Sequence, residues 1–255
     1  MKKILFSLLI LLTGCASLPL VDSQDLSDPD SSPRYMYDVE NNIAYKVAHD
    51  EDNLYLELRT DDETAIQKIV RNGLFVYIDP QGGKSKDIYF NYPLQMKLGK
   101  GGIRKMMQQN EGKFRPGEKR EFNVNQMLEN LSTEAIYSNN KTTEMIPVFA
   151  RSKSYKVELS APTNEQLVYK LKIPLAEVLD VIKEEHVLSL GIMTGKFEMP
   201  SRQGGQGAAM SGGMGGGRSE GGIQGGGRPG GMNMVSVEDI QKMQEQISIW
   251  FSFAL

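Results

Sequence analysis

Between Ile43 and Asp79 polar and apolar positions alternate, fall into a longer period, and then alternate again. Ile43, Tyr45 and Val47 alternate with Ala44, Lys46 and Ala48, and Leu54, Leu56 and Leu58 with Tyr55, Glu57 and Arg59. A period of two predicts two half-buried strands. The acidic link His49-Asp50-Glu51-Asp52-Asn53 between them supplies side chains that bond their own backbone, so the chain reverses there as a hairpin. Ile66, Ile69 and Val70 then recur at helical spacing, behind the acids Asp61, Asp62 and Glu63 that suit a helix start and ahead of Gly73 that suits its end. Leu74, Val76 and Ile78 against Phe75 and Tyr77 restore the strand period, and Pro80-Gln81-Gly82-Gly83 turns the chain.

The pattern continues with a strand over Asp87–Tyr92 and a basic, glycine-bearing loop over 97–120. Val124, Met127, Leu128 and Leu131 form a helical stripe with Asn123 as its cap. Strands are predicted over Met145–Ala150, Tyr155–Ser160, Leu167–Ile173 and Val187–Phe197, with a helical turn over Pro174–Lys183 that Pro174 would open. Residues 203–234 hold 15 of the 26 glycines, too little apolar surface to offset ordering entropy, and are expected to be disordered. Beyond them Ile247, Ile249, Phe251, Phe253 and Leu255 alternate with Ser248, Trp250, Ser252 and Ala254 as a final strand. That makes the tract a long insertion before the last strand. Many short strands with one or two short helices and no βαβ rhythm predict a mainly β chain, an antiparallel β-sandwich.

The first fourteen residues have a basic start and a short apolar run, the form of a secretory signal, and they end in Leu12-Thr13-Gly14-Cys15. This resembles the lipobox of bacterial lipoproteins, which implies lipid attachment at Cys15 and anchoring in a membrane. Ala16, not Asp, follows the cysteine, and by analogy with enteric retention rules the expected address is the outer membrane of a Gram-negative cell envelope. Cys15 is the one cysteine, so no disulfide forms and the domain relies on its core. Residues 15–33 are expected as lipidated cysteine and flexible tether, and 34–255 as a single domain interrupted by 203–234. Loss of Lys2 and Lys3 with the leader takes the formal charge from −3 to −5. That balance argues against nucleic acid as a partner.

The runs AYKVAHDEDNLYLELRTDD, GLFVYIDP, YKLKIPLAEV and ISIWFSFAL together resemble the DOMON-like superfamily, in particular bacterial domains similar to family 9 carbohydrate-binding modules. The resemblance covers about residues 35–200 and 246–255, and it implies an immunoglobulin-like sandwich that binds sugars or, in some branches, haem. With a single Trp a paired aromatic clamp cannot be placed. The histidines His49 and His186 are expected on the surface, not as haem ligands.

Trp250, opposite the apolar face of the last strand and flanked by serines, is the leading candidate for stacking on a sugar ring. Tyr55, Glu57 and Arg59 share the outer face of the second strand, with Lys46 beside them, and form the second candidate group. Asp50, Glu51, Asp52 and Asp79 are candidates for a structural calcium site, although their spacing matches no known calcium loop. No nucleophile elbow, HExxH or phosphate loop is present, so a non-catalytic binding protein is expected. A glycan ligand and an envelope-protein partner both stand open.

Overall fold

The structure, a computed structural model, describes residues 17–28, 30–31, 34–96, 122–149, 155–179, 187–196, 242 and 244–255. The leader with Cys15, the whole 97–120 stretch, the glycine tract 203–234 and His186 lie outside the described residues. The chain divides into two units, Met1–Met96 with Lys119–Gly195 and Gln246–Leu255, and Lys97–Glu118 with Lys196–Glu245. The fold below is that of the first.

The strands in chain order are β1 (Leu20–Val21), β2 (Gln24–Asp25), β3 (Met36–Asp38), β4 (Ile43–His49), β5 (Asn53–Thr60), β6 (Leu74–Asp79) and β7 (Ile88–Asn91). They continue as β8 (Glu134–Ser138), β9 (Thr143–Pro147), β10 (Lys156–Thr163), β11 (Gln166–Pro174), β12 (Val187–Thr194) and β13 (Ser248–Ala254). Helix α1 (Glu63–Asn72) joins β5 to β6, and α2 (Val124–Leu128) precedes β8. One sheet has the order β1-β13-β12-β6-β7-β8-β9; the other has β10-β11-β5-β4-β2, with β3 also paired to β4. The protein is a mainly β, two-sheet sandwich.

The alternation read from the sequence sets the inner faces. Leu54, Leu56 and Leu58 of β5 and Leu74, Val76 and Ile78 of β6 are buried, as are Ile249, Phe251 and Phe253 of β13. The Tyr45 ring of one sheet stacks on Phe251 of the other at 4.8 Å and 25°, so the two inner faces meet in aromatic contact. Helix α1 carries the chain from one sheet to the other and buries Ile66, Ile69 and Val70. Asp62 caps it, its carboxylate accepting the Ala65 N–H at 2.8 Å, and the Gly73 N–H closes it onto the Ile69 carbonyl at 3.1 Å. Asn123 caps α2 in the same way, accepting from the Gln126 N–H at 3.2 Å.

Four expectations are corrected. Residues 15–33 are not all tether: β1 pairs in parallel with β13 and β2 in parallel with β4, with Val21 buried in the core. A dipeptide strand carries no readable period, and here the open sheet edge supplies the pairing. Strand β8 was missed because its inward residues are Ala135 and Tyr137, a small residue and an amphipathic one that make a weak alternation. Pro174 ends β11 and stands as the N-cap, not the first residue, of a 3₁₀ turn at Leu175–Glu177; residues 180–183 of the expected helical turn lie outside the described residues. The calcium site does not assemble, since Asp50 lies in the β4–β5 turn and Asp79 ends a strand of the other sheet. Among the described residues no group of three potential His, Cys, Asp or Glu ligands could hold a metal.

Candidate functional site

The outer face of the seven-stranded sheet is set by the residues that alternate against its core. Register aligns Tyr89 with Tyr77, Tyr77 with Gly191 and Gly191 with Trp250. One row across four strands therefore holds three aromatic residues and a gap. The gap is filled by the indole. A Cβ built on Gly191 would lie 2.5 Å from Cε2 and 2.6 Å from Cη2 of Trp250, and closer still to Cζ2. Three ring atoms nearly equidistant from that point mean that the indole's face, not its edge, rests on the glycine backbone.

The Tyr77 ring lies 6.1 Å from Trp250 and within 12° of parallel to it. Phe75, two residues along the same strand, is 5.9 Å from Tyr77 and within 7° of parallel. Tyr89 stands tilted at 60° beside Tyr77, at 5.8 Å. Together they make a platform of three nearly parallel rings bordered by a fourth. All four are half-buried. Lys86 Nζ sits 5.4 Å from the Tyr77 ring centroid, within cation–π range. Burial, and secondarily the neighbouring Tyr89, push the Tyr77 phenol above its ordinary value, so it stays a neutral donor at any physiological pH. Asn91, paired in register with Phe75, is buried and its Oδ1 has no hydrogen-bond partner. Ring faces carry negative quadrupole potential and attract polarised C–H groups, so an exposed ring face in this set suits the apolar face of a pyranose.

Tyr55, Glu57 and Arg59 share a face of β5 as read from the sequence, with Lys46 beside Glu57, but on the outer face of the other sheet, away from Trp250. Glu57 is their hub. Its carboxylate accepts from Arg59 Nε at 2.7 Å and from the Tyr35 hydroxyl at 2.9 Å, with Lys46 Nζ at 3.2 Å. The Tyr35 ring lies under both cations, 5.0 Å from Lys46 Nζ and 4.9 Å from Arg59 Cζ. Burial alone would raise the Glu57 carboxyl; the hydrogen bonds from Arg59, Tyr35 and Lys46 overturn that and hold it below the usual glutamate value. Every partner in this cluster is matched inside the protein, so it serves the sheet and offers little to a ligand.

Tyr55 stands apart from that cluster. Its hydroxyl donates to Asp50 Oδ2 at 2.7 Å, and burial first, then that bond, pushes the phenol up to about 12. Asp50 also accepts the backbone N–H groups of Asp52 and Asn53 at 2.9 and 2.7 Å, which ties up the carboxylate proposed for calcium.

A groove of about 410 Å³ runs over this face, with Tyr55, Lys46, Lys156, Lys170 and Lys172 in its lining. A second cleft of about 520 Å³ is lined by Asp61, Glu63, Phe122, Asn123, Asn164 and Glu165. Neither contains a histidine or a methionine. His49 ends β4 with its Nδ1 buried and unpartnered, and it faces neither cleft.

Sequence reasoning singled out Trp250 but not its neighbours on this face, Phe75, Tyr77, Tyr89 and Gly191. The signal was present in Leu74–Ile78, where both residues out of phase with the core, Phe75 and Tyr77, are aromatic.

No model of a known protein family and no curated protein matches the chain. Among solved structures it is similar to a family 9 carbohydrate-binding module from Caldicellulosiruptor kristjanssonii in complex with glucose, at 8% identity and a TM-score of 0.28. The match covers 63% of this chain and 62% of that one, less than two thirds of the module's own length. No helix among the described residues is long and apolar enough to cross a membrane.

Proposed function

We propose that this chain is a non-catalytic carbohydrate-binding protein, anchored at the cell envelope by lipid on Cys15, that takes a sugar on the ring tier of Trp250, Tyr77 and Phe75. The observation that carries the reading is the indole lying flat on Gly191 with Tyr77 within 12° of parallel beside it. Half-buried rings on a rigid central sheet are held in place before any ligand arrives, which lowers the ordering cost of binding.

The test is direct because Trp250 is the chain's one tryptophan, so intrinsic fluorescence reports on this site alone. Titration with a panel of neutral oligosaccharides and polysaccharides is expected to shift the emission for at least one sugar, and Tyr77→Ala is expected to weaken that response. Unchanged emission across the panel would remove the reading. Anchoring is checked separately: labelled palmitate is expected in the wild-type chain expressed in a Gram-negative host and not in Cys15→Ser.

A second reading has its own support. Met145 and Phe149 are exposed at 58% and 79%, on or just past the edge strand β9, and Ile136 stands beside Met145 in register at that edge. Such an edge suits a protein partner in the envelope. Crosslinking at Met145 in whole cells distinguishes it from the sugar reading.

A further inference from the structure

On the outer face of the six-stranded sheet, register assembles two adjacent rows of very different character. One reads Lys46, Glu57, Lys170, Glu158 across β4, β5, β11 and β10. Its charges alternate and neutralise one another. The other reads Ala48, Tyr55, Lys172, Lys156 over the same strands. Here two lysines stand directly opposite each other with no acid in the row. Directly opposed like charges destabilise a strand pair, and neither lysine makes an ion pair with a described residue. The groove over these rows holds four lysines against two glutamates, an excess of positive charge on a chain whose formal charge is −3.

The rest of the groove is built for more than a bare ion. Tyr55 is fixed by its hydroxyl bond to Asp50, so its ring is a static wall, and Lys172 Nζ lies 6.0 Å from the ring centroid. Leu26 and Ala48 add apolar lining beside it, and the volume of about 410 Å³ falls in the range of small-molecule sites. We infer that this groove is a second binding site, distinct from the Trp250 platform, for a carboxylate-bearing saccharide. Its anionic group sits between Lys156 and Lys172 and its ring lies against Tyr55. The carboxylate would supply the counter-charge that the row lacks. An aromatic wall and apolar lining beside the cations favour a sugar over a phospholipid headgroup, which would need only the cations.

The experiment is calorimetric titration of the purified protein with a galacturonate trisaccharide, a neutral galactose trisaccharide, and vesicles containing phosphatidylglycerol. Binding of the galacturonate is expected, absent for the neutral sugar, and weakening as salt is raised through the range where exposed charges are screened. The double variant Lys156→Gln/Lys172→Gln is expected to lose about tenfold or more in affinity, the size of one to two charge-assisted contacts. Trp250→Ala is expected to leave this binding unchanged, which separates it from the sugar platform proposed above. Circular dichroism of the double variant establishes that it folds; surface Lys→Gln changes disturb little. No galacturonate binding, undiminished binding in the folded double variant, or binding of the vesicles alone would each overturn the inference.

Discussion

Trp250 and Gly191 are paired in register across β12 and β13, and the indole occupies the space that a side chain at 191 would need. The glycine is thus what lets the indole lie flat. Gly191→Val should force the ring off the sheet and away from Tyr77. Because the ring is only half-buried and a displaced indole can turn toward solvent, the expected stability change is small, within about 1 kcal/mol. Loss of sugar binding should exceed this, about tenfold, on the scale of an aromatic contact. The emission of Trp250 should move to longer wavelength even without ligand. A variant that keeps both emission and affinity would show that the flat ring is incidental.

A second expectation concerns Glu57, whose side chain is 12% exposed and bonded to Arg59, Tyr35 and Lys46. Its carboxyl is held below the ordinary value by those bonds acting against burial. A depressed carboxyl stabilises the fold above the unfolded-state value, about 4.3 for glutamate, and the contribution is lost as pH falls through the lower folded value. Glu57→Gln should therefore cost about 1–3 kcal/mol at pH 7, the range for charge-assisted bonds to a half-enclosed carboxylate. Urea unfolding at several pH values should show the gap between wild type and variant closing below about pH 4. A gap constant with pH would mean that packing, not charge, holds the cluster.

How much of this was legible follows from which signals are local. The β4–β5 hairpin, α1 and β6 could be read because their apolar periods run for six residues or more and their turn and cap residues, Asp50, Asp62 and Gly73, act on neighbouring backbone. Strands β1 and β2 could not, since two residues have no period and their partners lie far along the chain. Trp250 was legible as the residue out of phase with Ile249 and Phe251. Its partners Tyr77 and Gly191 were not, because register between β6, β12 and β13 is a property of the assembled sheet. For the same reason Tyr55, Glu57 and Arg59 shared a face as read, while nothing local showed that Trp250 belongs to the other sheet.

Gly73 offers a sharper test of the fold. Its φ is 80° and its ψ 160°, a region that only glycine enters without strain. A Cβ there would also meet the Pro93 carbonyl oxygen and the Gln95 nitrogen at 2.8 Å, both backbone atoms that cannot rotate away. Gly73→Ala should cost about 2–4 kcal/mol, from the strained conformation and the displaced segment together. Thermal unfolding measures it. A change under about 0.5 kcal/mol, the scale of an ordinary surface substitution, would mean that the 93–95 segment does not pack on this turn.

The N-terminal edge strands make the last prediction, because they change where the folded domain begins. The Ser252 N–H donates to the Pro19 carbonyl at 2.9 Å and the Leu26 N–H to the His49 carbonyl at 2.8 Å. The Ser23 hydroxyl reaches the Ala254 carbonyl, and Val21 is 8% exposed against the core. A chain starting at residue 34 gives up all of these and uncovers β13, whose unpaired edge would then invite association with other chains. Such a truncation should lose about 2–4 kcal/mol, from one buried valine and several net hydrogen bonds, and should aggregate at concentrations where a chain starting at residue 16 stays monomeric. Val21→Asp in the longer chain should reproduce most of the stability loss, since a carboxylate cannot enter that site without a partner. Urea unfolding and light scattering on the three proteins decide it. If the truncated chain matches the longer one in both, residues 16–33 act as tether alone.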